Sequence, residues 1–376
     1  MGESVLVTGG AGFIGSHLVD TLLQRGHSVQ VYDNLEPQVH GGCRERGTWP
    51  GYLASDCERI LGDVRDREAL RKAVQHADVI FHEAAAVGVG QSMYEIEHYV
   101  DANTRGTAVL LDILANEKHC VRKLIVASSM SIYGEGRYCC AQCGEIHPRL
   151  RSGQRLTDGD WEMHCPECGH IADPLPTDEQ KPLHPTSIYA ITKMDQEKMC
   201  LMMGRAYNIP TVALRYFNTY GPRQALSNPY TGVAAIFSGR LLNGLPPVIF
   251  EDGYQSRDLT HVNDIVQANV LAMDCDEMAY DAYNVGTGRS LTILEIAQAL
   301  IHYMGCDQIP EIAYTFRAGD IRHCYADIRH IQSSGYEPKV PFEDGIAELV
   351  AWVSTQTAVD RFDGARKELA NRRLTG

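Results

Sequence analysis

The sequence predicts an α/β fold built on a doubly wound parallel sheet, and two observations carry this prediction. Residues 5–7 form an apolar run of strand length, a glycine-rich turn follows, and a helical pattern begins at Phe13. The same alternation of strand-length runs and helical patterns recurs over the first 135 residues. Parallel strands need crossover connections, which are usually helical, so this alternation favours a sheet with helices packed on its faces.

The first turn has the spacing G-x-x-G-x-x-G, formed by Gly9, Gly12 and Gly15. A strand that enters a helix through glycines gathers free backbone N–H groups and the positive end of the helix dipole, which suits a pyrophosphate. Gly9 permits the sharp turn, Gly12 the close approach of a phosphate, and Gly15 the packing of helix on strand. The motif indicates a dinucleotide site that includes Phe13 and Ile14; an ordinary turn is the alternative.

The second strand, predicted over residues 28–32, ends at Asp33, eighteen residues beyond Gly15. A carboxylate at this point accepts hydrogen bonds from the adenosine ribose and repels a 2′-phosphate, which favours NAD over NADP. Asn34 follows and is a further candidate contact. A turn or helix-capping role for Asp33 is the alternative. Residues 36–58 lack hydrophobic periodicity and predict a surface loop.

The next two strand ends supply further candidate cofactor contacts. Asp63 follows the third strand and is a candidate partner for the adenine amino group, with Val64 beside it. The fourth strand covers residues 79–82 and leads to Ala84 and Ala85. Such small side chains are expected where backbone lies against a cofactor.

A serine, a tyrosine and a lysine form the candidate catalytic group. Ser129 follows a buried strand predicted over residues 124–127. Tyr189 and Lys193 are four residues apart in a predicted helix, so both lie on one helical face. A free tyrosine has a pKa of about 10 and is a poor base. We expect the lysine ammonium and a nicotinamide cation to favour the phenolate and lower that pKa.

Four of the twelve cysteines form a candidate metal site within a polar stretch, residues 136–182. The pairs Cys140-x-x-Cys143 and Cys165-x-x-Cys168 are separated by 21 residues, and each pair is followed by glycine. A C-x-x-C turn places two thiolates on one edge of a tetrahedron. We therefore expect a closed, structural zinc ribbon; a redox-active thiol pair is the alternative. The other eight cysteines are interpreted as ordinary buried or surface thiols.

Composition limits the classes of function. The chain has 376 residues, 44% of them hydrophobic and 22% charged, as in ordinary soluble enzymes. A net charge of −14 argues against a nucleic-acid or anionic-membrane partner. No apolar run approaches the ~18–20 residues of a membrane span, and the early first strand leaves no room for a signal peptide. We expect a cytoplasmic enzyme.

Nine motifs follow one another along the chain: TGGAGFIGSH, YDN, GDVRD, SSMSIYG, YAITK, RYFNTYGPRQ, RDLTHVNDI, YNVGTG and RAGDIRH. They resemble the extended short-chain dehydrogenase/reductase family, in its nucleotide-sugar epimerase branch, over nearly all of the chain outside the cysteine-rich stretch. The resemblance implies a Rossmann-type domain of about seven parallel strands and a smaller C-terminal substrate-binding domain. It also implies bound NAD, a UDP- or dTDP-linked sugar as substrate, and a homodimer formed through a helix pair.

The expected domain boundaries follow from the order of these motifs. They are residues 1–135 and about 183–216, with a return near 255–275, for the NAD-binding domain; 136–182 for the zinc-ribbon insertion; about 217–254 and 276–358 for the substrate-binding domain; and 359–376 for a loose tail or surface helix.

The resemblance further implies C4 epimerisation of the sugar. The Tyr189 phenolate takes the C4-hydroxyl proton, Ser129 holds the same oxygen, and Lys193 keeps Tyr189 ionised and holds the nicotinamide ribose. Asn103 and Tyr216 join the implied cofactor contacts. The implied substrate contacts are Ser131, Asn218, Arg257, Arg317 and Asp320.

The residue types at the two positions that follow Ser129 distinguish the reactions of this family. The 4,6-dehydratases carry an Asp-Glu pair there and the decarboxylases keep the glutamate, whereas this chain has Met130 and Ser131. Epimerase and NAD-dependent ketoreductase or dehydrogenase activities remain, with a non-catalytic dinucleotide-binding protein and a zinc-ribbon nucleic-acid binder as remote alternatives. Both UDP-sugars and dTDP-6-deoxysugars are used by this branch; members with such a cysteine-rich region look most like dTDP-L-rhamnose 4-epimerases.

Overall fold

Seven parallel strands form the central sheet of the computed structural model, which describes residues 2–376. The first strand is typical, since Val5, Leu6 and Val7 are apolar side chains suited to a buried, pleated surface. The remaining short strands form four smaller sheets. Over the described residues the strands are β1 (Ser4–Thr8), β2 (Ser28–Asp33), β3 (Glu58–Leu61), β4 (Val79–His82), β5 (Lys123–Ser129), β6 (Arg137–Cys140), β7 (Gly144–Ile146), β8 (Asp173–Leu175), β9 (Thr211–Tyr216), β10 (Asn218–Tyr220), β11 (Val248–Ile249), β12 (Ser256–Arg257), β13 (Leu259–His261), β14 (Asp281–Val285), β15 (Leu291–Thr292), β16 (Glu311–Ile312) and β17 (His323–Cys324).

The order of the central strands is β14-β9-β5-β4-β1-β2-β3. In register, Val7 of β1 lies between Val31 of β2 and Phe81 of β4, and both pairings are parallel. The chain thus leaves β1 on one side for β2 and β3 and returns on the other side as β4. In open α/β sheets this switch point is where ligands bind, at the carboxyl ends of the strands. The predicted Rossmann-type sheet is confirmed.

Both faces of the sheet are apolar, and neighbouring residues face opposite cores. Val5, Val7 and Phe81 belong to one buried cluster, whereas Leu6 and Ile80 belong to another. A strand covered on both faces has this nearly continuous apolar sequence rather than a polar–apolar alternation. Helices therefore have to cover both faces of the sheet.

The helices that cover the sheet differ from the sequence prediction in two places. Residues 36–58, expected to be a surface loop, contain two short helices and bury Leu53 against the core. The sequence pattern of residues 97–116 predicts one long helix, but a π-helical stretch, Val100–Arg105, interrupts it. The α-helices are α1 (Phe13–Gln24), α2 (Pro37–His40), α3 (Cys43–Arg46), α4 (Arg67–Val74), α5 (Val89–Ser92), α6 (Ile96–Tyr99), α7 (Gly106–Asn116), α8 (Gly153–Thr157), α9 (Ile188–Tyr207), α10 (Val233–Leu242), α11 (Val262–Asp274), α12 (Ile293–Tyr303), α13 (Arg329–Gln332), α14 (Phe342–Val353) and α15 (Phe362–Asn371).

A second lobe packs α10, α12 and α14 around its own apolar cluster, which includes Phe237, Ile296 and Leu349. The start of α12 is fixed by a capping box, because Thr292 Oγ1 accepts the N–H of Glu295 at 3.1 Å and the Glu295 carboxylate accepts the N–H of Thr292 at 2.7 Å. This lobe faces the carboxyl ends of the central strands across a cleft.

The cysteine-rich stretch forms a third, small unit, in which β6 pairs in antiparallel fashion with β7 and β8. Its buried apolar cluster contains few side chains besides two of the cysteines. Apolar burial within this unit alone is therefore small. The buried members are Tyr138, Cys140, Ile146, Met163, Cys165 and Ala172.

The C-terminal residues return to the second lobe. Helix α15 buries Phe362 against Val248 and Phe250, and the Phe316 N–H donates to the Gly376 carbonyl at 2.9 Å. The segment expected to be a loose tail or a surface helix therefore contains a docked helix. Within residues 2–376, no helix combines the length and apolar character needed to cross a membrane.

Candidate active site

A cleft of about 600 Å³ opens at the carboxyl ends of β1, β4 and β5, between the sheet and the second lobe. This volume lies in the range of about 300–1,000 Å³ found for small-molecule sites. All but one of the residues assigned to cofactor, substrate or catalysis from the sequence line it. The lining includes Gly9, Gly12, Phe13, Ile14, Gly15, Asp33, Asn34, Asp63, Val64, Ala84, Ala85, Ser129, Ser131, Tyr189, Lys193, Tyr216, Asn218, Arg257, Arg317 and Asp320.

The glycine turn brings backbone to the floor of the cleft. Gly9 has a φ of +71°, and a Cβ there would lie 2.8 Å from the Ala84 nitrogen. A Cβ on Gly15 would lie 2.3 Å from the Gly9 carbonyl oxygen, so helix and turn pack too closely for any side chain. Gly12 begins α1 without a side-chain cap. The first N–H groups of α1 therefore remain available to an anion in the cleft.

Asp33 is buried at the end of β2 and supports this turn. Its carboxylate accepts the Ala11 N–H at 3.0 Å and the Leu35 N–H at 2.8 Å. Burial raises the pKa of Asp33, and the nearby His40 and the two N–H groups oppose this effect. Each carboxylate oxygen has a second lone pair, so Asp33 can still accept hydrogen bonds from a ligand's hydroxyl groups.

Asp63 is held by polar neighbours at the rim of the cleft. Arg65 donates to both of its oxygens, at 2.8 and 2.6 Å, and Asn34 donates at 3.1 Å. Burial raises the pKa of Asp63, but these hydrogen bonds outweigh it and leave the pKa at about 2. The carboxylate is thus charged at neutral pH and accepts from any donor that enters the cleft.

Asn103 is the one assigned residue that does not line the cleft. It is fully buried in the π-helical stretch, where its amide accepts the Ala86 N–H at 2.7 Å and donates to the Ala86 carbonyl at 3.0 Å. It also donates to Thr192 Oγ1 at 3.0 Å. Asn103 thus bridges α9 and the loop after β4, and its expected cofactor contact stays a prediction. The loop itself, through Ala84 and Ala85, faces the cleft.

The catalytic candidates meet because α9 starts beside the end of β5. Ser187 caps α9 by accepting the Ala190 N–H at 3.1 Å. Ser131 Oγ donates to Ser129 Oγ at 2.9 Å, and both Ser129 and Tyr189 line the cleft. Burial raises the pKa of Tyr189 to about 12, with the Ser129 hydrogen bond opposing it. Burial therefore dominates in the protein without cofactor, and the lowering of this pKa expected from Lys193 together with a bound nicotinamide stays a prediction.

Lys193 shares its surroundings with a carboxyl group that the sequence motifs did not identify. Burial lowers the pKa of Lys193, and the negative charge of Glu83 opposes this effect. Burial also raises the pKa of Glu83, which accepts a hydrogen bond from Tyr216 at 2.8 Å. Asn269 donates to the same tyrosine oxygen at 2.7 Å. Glu83 and Tyr216 thus line the cleft as parts of one buried network.

Helix α9 is fixed to the sheet by a second buried network. Glu197, one turn beyond Lys193, accepts hydrogen bonds from Ser128 at 2.7 Å and from Arg215 at 2.6 and 2.8 Å. Arg215 also donates to Tyr133 at 2.7 Å. These contacts join the residue before Ser129 to the helix that carries the tyrosine and the lysine. Local motifs could not reveal them, because the partners lie far apart in the sequence.

The opposite wall of the cleft carries cationic and amide groups. Arg317 donates from Nε to Asp320 at 2.7 Å, and its guanidinium lies 4.7 Å from the centre of the Phe250 ring. Arg257 donates to the carbonyl of Ile321 at 2.8 Å. The buried Oδ1 of Asn218 has no hydrogen-bond partner within residues 2–376. A bound polar ligand would satisfy this atom.

Four cysteine sulfurs gather in the small unit, with their Sγ atoms all within 4.8 Å of one another. Sγ–Sγ separations in a tetrahedral Zn–S₄ site are about 3.8 Å, from Zn–S bonds of about 2.3 Å. The glycines that follow each pair, Gly144 and Gly169, have φ values of +78° and +75°, as the expected turns require. Hydrogen bonds from the backbone N–H groups of Gln142 and Cys143 lower the pKa of the Cys140 thiol. The clustered residues are Cys140, Cys143, Cys165 and Cys168.

The chain belongs to the NAD dependent epimerase/dehydratase family, whose model matches residues 5–149 and 166–286. Residues 150–165, which separate the two matched segments, lie in the cysteine-rich unit. The chain is 32% identical to the dTDP-L-rhamnose 4-epimerase of Burkholderia thailandensis, over 94% of this chain and 96% of that protein.

Two solved structures are similar over almost their whole length. The UDP-glucose 4-epimerase of Thermotoga maritima, solved with UDP-glucose, has a TM-score of 0.75 and 31% identity, over 93% of this chain and 98% of that one. The UDP-glucose 4-epimerase of Thermus thermophilus in complex with NAD has a TM-score of 0.73 and 30% identity, over 94% and 100%.

Proposed function

We propose that this protein is an NAD-dependent nucleotide-sugar 4-epimerase. The observation that carries the proposal is that Ser129, Tyr189 and Lys193 line the same cleft as the glycine turn of β1 and α1. The similarity to sugar-nucleotide 4-epimerases over more than nine-tenths of the chain supports it. The reaction is transient oxidation at C4 of a nucleoside diphosphate hexose, followed by reduction on the opposite face.

The residues of the cleft fit NAD. The uncapped N-terminus of α1 is suited to the pyrophosphate, and Asp33 to the adenosine ribose, where its charge disfavours a 2′-phosphate. Asp63 has acceptor capacity for the adenine amino group, and Lys193 is placed to hold the nicotinamide ribose. When bound, NAD supplies the hydride acceptor and donor for C4.

Tyr189 is the acid and base of the proposed mechanism. Its phenolic oxygen exchanges a proton with the C4 hydroxyl, while Ser129 Oγ hydrogen-bonds the same sugar oxygen. The protein's own groups hold Tyr189 in its neutral form, since burial raises its pKa to about 12. Positive charge beside the ring is therefore required to stabilise the phenolate, and the Lys193 ammonium supplies part of it.

The positions after Ser129 favour epimerisation over elimination of water. Met130 is buried and apolar, and Ser131 donates its hydroxyl hydrogen to Ser129. Neither side chain can protonate a leaving hydroxyl or abstract a proton from C5 near neutral pH. The site thus supports redox chemistry at C4 without the acid–base pair of the dehydratases.

The substrate is proposed to be a UDP- or dTDP-linked hexose, with dTDP-L-rhamnose as the first candidate because of the Burkholderia relative. Arg257 and Arg317 are suited to diphosphate oxygens, since guanidinium groups form forked hydrogen bonds with phosphate. Asn218, Ser131 and Asp320 complete the proposed substrate contacts.

The proposal is tested with substrate deuterated at C4, in ordinary water. An epimerase returns the same hydride, so deuterium stays at C4 in both epimers, as read by NMR. Appearance of deuterium at C6 with loss of water would identify a dehydratase. Loss of the label to solvent would contradict a hydride mechanism altogether. Transfer of the label to added cofactor would indicate a ketoreductase.

The four-cysteine unit is proposed to hold structural zinc. Four thiolates close the coordination shell, so this metal would have no open position for substrate. We place the protein in the cytoplasm, where reducing conditions keep such thiols available.

A homodimer formed through a helix pair is also proposed. Helix α9 exposes the apolar side chains of Ile191 and Met202, and Met202 is 71% exposed. Val100, in the neighbouring π-helical stretch, is 42% exposed. Apolar side chains of this kind are commonly covered in an interface. Light scattering should give twice the chain mass, and Met202→Glu should shift the protein towards monomer; a monomeric unmodified protein would contradict the dimer.

A further inference from the structure

The cysteine-bearing unit contacts the substrate wall of the cleft through one buried arginine. We propose that Arg151 is a positioning residue for the turn that carries Arg317 and Asp320, and that the unit thereby sets the affinity for the nucleoside diphosphate. This inference rests on the proposed function, since it concerns the substrate side of the same cleft. It assigns to the insertion a part in substrate binding as well as in folding.

The first contact is a forked ion pair. Arg151 donates from Nη1 and from Nη2 to the two carboxylate oxygens of Glu251, each at 2.9 Å. The two side chains are 1% and 3% exposed, and they are 100 residues apart in the sequence. A bidentate pair of this kind fixes orientation as well as distance. It joins the insertion to the second lobe at one defined geometry.

The second contact reaches the substrate turn itself. Arg151 Nη2 donates to the carbonyl of Asp320 at 3.4 Å. The carboxylate of the same Asp320 accepts from Arg317 at 2.7 Å, and both side chains line the cleft. Arg151 thus supports from behind the turn whose front face carries the groups proposed to bind substrate.

A parallel connection runs through Arg322, whose side chain is fully buried. Its guanidinium donates to Glu251 at 3.0 Å and to Glu162 of the insertion at 3.2 Å. Its backbone N–H donates to Glu135 at 2.8 Å. Glu135 lies in the segment that leads from the catalytic serine into the insertion. The same network therefore also reaches the segment that follows the catalytic serine.

The cysteine cluster is continuous with this network. Arg151 Nη1 also donates to the carbonyl of Trp161 at 2.8 Å. Two residues further on, Met163 is buried in the small core together with Cys140 and Cys165. Displacement of the cysteine cluster would therefore move the segment that holds Arg151 in place.

This buried ion network is better explained by a need to hold the surrounding groups in a fixed arrangement than by a contribution to folding stability. Replacing a buried ion pair with apolar side chains is often neutral for folding, because desolvation offsets the attraction. Glu251 also has a φ of +55°, a region that non-glycine residues rarely adopt. A strained residue kept at the centre of a buried ion network points to a required arrangement of the groups around it.

The experiment compares Arg151→Met with the unmodified holoprotein, using titration calorimetry with UDP and with dTDP. We expect binding of the preferred diphosphate to weaken at least about tenfold, KM for the sugar nucleotide to rise by a similar factor, and kcat and the NAD content per chain to stay the same. Arg149→Met is the matched control, since Arg149 is exposed on the same unit, and it should bind as the unmodified protein does.

Equal diphosphate affinity of Arg151→Met and the unmodified protein would overturn the inference and leave the proposed function intact. If Arg151→Met is insoluble, Arg151→Lys decides: it keeps the charge but loses the fork, so weakened diphosphate binding supports the inference and unchanged binding overturns it. An unmodified protein that binds neither UDP nor dTDP would overturn the proposed function and this inference with it.

Discussion

At the scale of single residues, Tyr189 is controlled by two opposing effects. Burial favours its neutral form, and the hydrogen bond from Ser129 favours the phenolate. Lys193 adds positive charge on the same helical face, and Glu83 helps the lysine keep its proton. In the proposed mechanism, these four side chains together govern the proton that is exchanged with the sugar.

Tyr189→Phe removes the exchangeable proton and keeps the ring. Because a positioned acid–base group contributes about 10²–10⁴-fold, kcat should fall by about 10³-fold while NAD stays bound. Steady-state rates and cofactor released on denaturation measure the two effects. Tyr207→Phe, at an exposed tyrosine of the same helix, is the control and should be fully active. A Tyr189→Phe enzyme with normal turnover would remove this residue from the mechanism.

The pH dependence of the rate should follow from the same group. Since burial raises the pKa of Tyr189 to about 12, the phenolate fraction increases with pH below that value. We expect kcat/KM to rise between about pH 6 and pH 8, with a slope of up to about tenfold per pH unit. The residual rate of Tyr189→Phe should lack this slope. A flat profile for the unmodified enzyme would show that Tyr189 does not titrate in the rate-limiting step.

At the scale of elements, the switch point of the sheet is held together by His82 at the end of β4. Its ring nitrogens are hydrogen-bonded to Thr8 of β1 and to Thr107 of α7, each at 2.9 Å. Gln196 of α9 lies 3.4 Å away. One buried imidazole thus connects two strands and two helices directly beneath the cleft.

His82 should make stability depend on pH. Burial and the charge of Lys193 lower its pKa to about 3 from 6.5. The folded-state pKa is depressed, so the stabilisation is present above about pH 6.5 and is lost as the pH falls towards 3. Between pH 6.5 and pH 5, His82 should account for a loss of about 2 kcal/mol in the free energy of unfolding.

Urea unfolding at pH 6.5 and pH 5 tests this contribution of His82. His82→Gln should have a lower free energy of unfolding at pH 6.5. On acidification to pH 5, its free energy of unfolding should fall by about 2 kcal/mol less than that of the unmodified protein. His76→Gln, at an exposed histidine, should keep the full loss. Parallel losses in the unmodified protein and in His82→Gln would show that this imidazole does not control acid stability.

The cysteine unit provides a second test at this scale. Cys140→Ser and Cys165→Ser should each lower zinc from about one per chain, because either removes a ligand from a four-thiolate site. Elemental analysis measures the metal, and cobalt substitution gives an independent spectrum. Cys120→Ser, at an exposed thiol, should retain full metal. Unchanged zinc in the two cluster variants would contradict the ribbon.

The elements that the sequence predicted well are those with local causes. The strand, glycine turn and helix around Gly9 need only neighbouring residues, and the four-residue spacing of Tyr189 and Lys193 places them on one face of any helix. Contacts that depend on distant partners were missed. No local pattern reveals the hydrogen bond between Asn103 and Ala86, and none pairs Arg151 with Glu251. The burial that raises the pKa of Tyr189 likewise depends on the whole fold.

At the scale of the whole molecule, the cleft is assembled from three parts of the chain. The sheet and α9 supply the proposed cofactor side and the candidate catalytic group, the opposite wall supplies Arg257 and Arg317, and α15 contributes Phe362 and Leu369 to the lining. The cysteine unit supports the substrate wall from outside through Arg151. A cleft with walls from several parts of the chain is suited to a reaction in which the oxidised sugar must stay bound until it is reduced.

We expect the chain to epimerise a sugar nucleotide with a cofactor that it retains. The most direct test incubates the purified protein with UDP-glucose, UDP-N-acetylglucosamine, UDP-glucuronate and dTDP-L-rhamnose, separately and without added cofactor, and follows C4 of each sugar by NMR. Conversion of one of them to its C4 epimer is the predicted result. If no sugar changes until NAD or NADH is supplied, the protein is a dehydrogenase or ketoreductase, and the epimerase account is wrong.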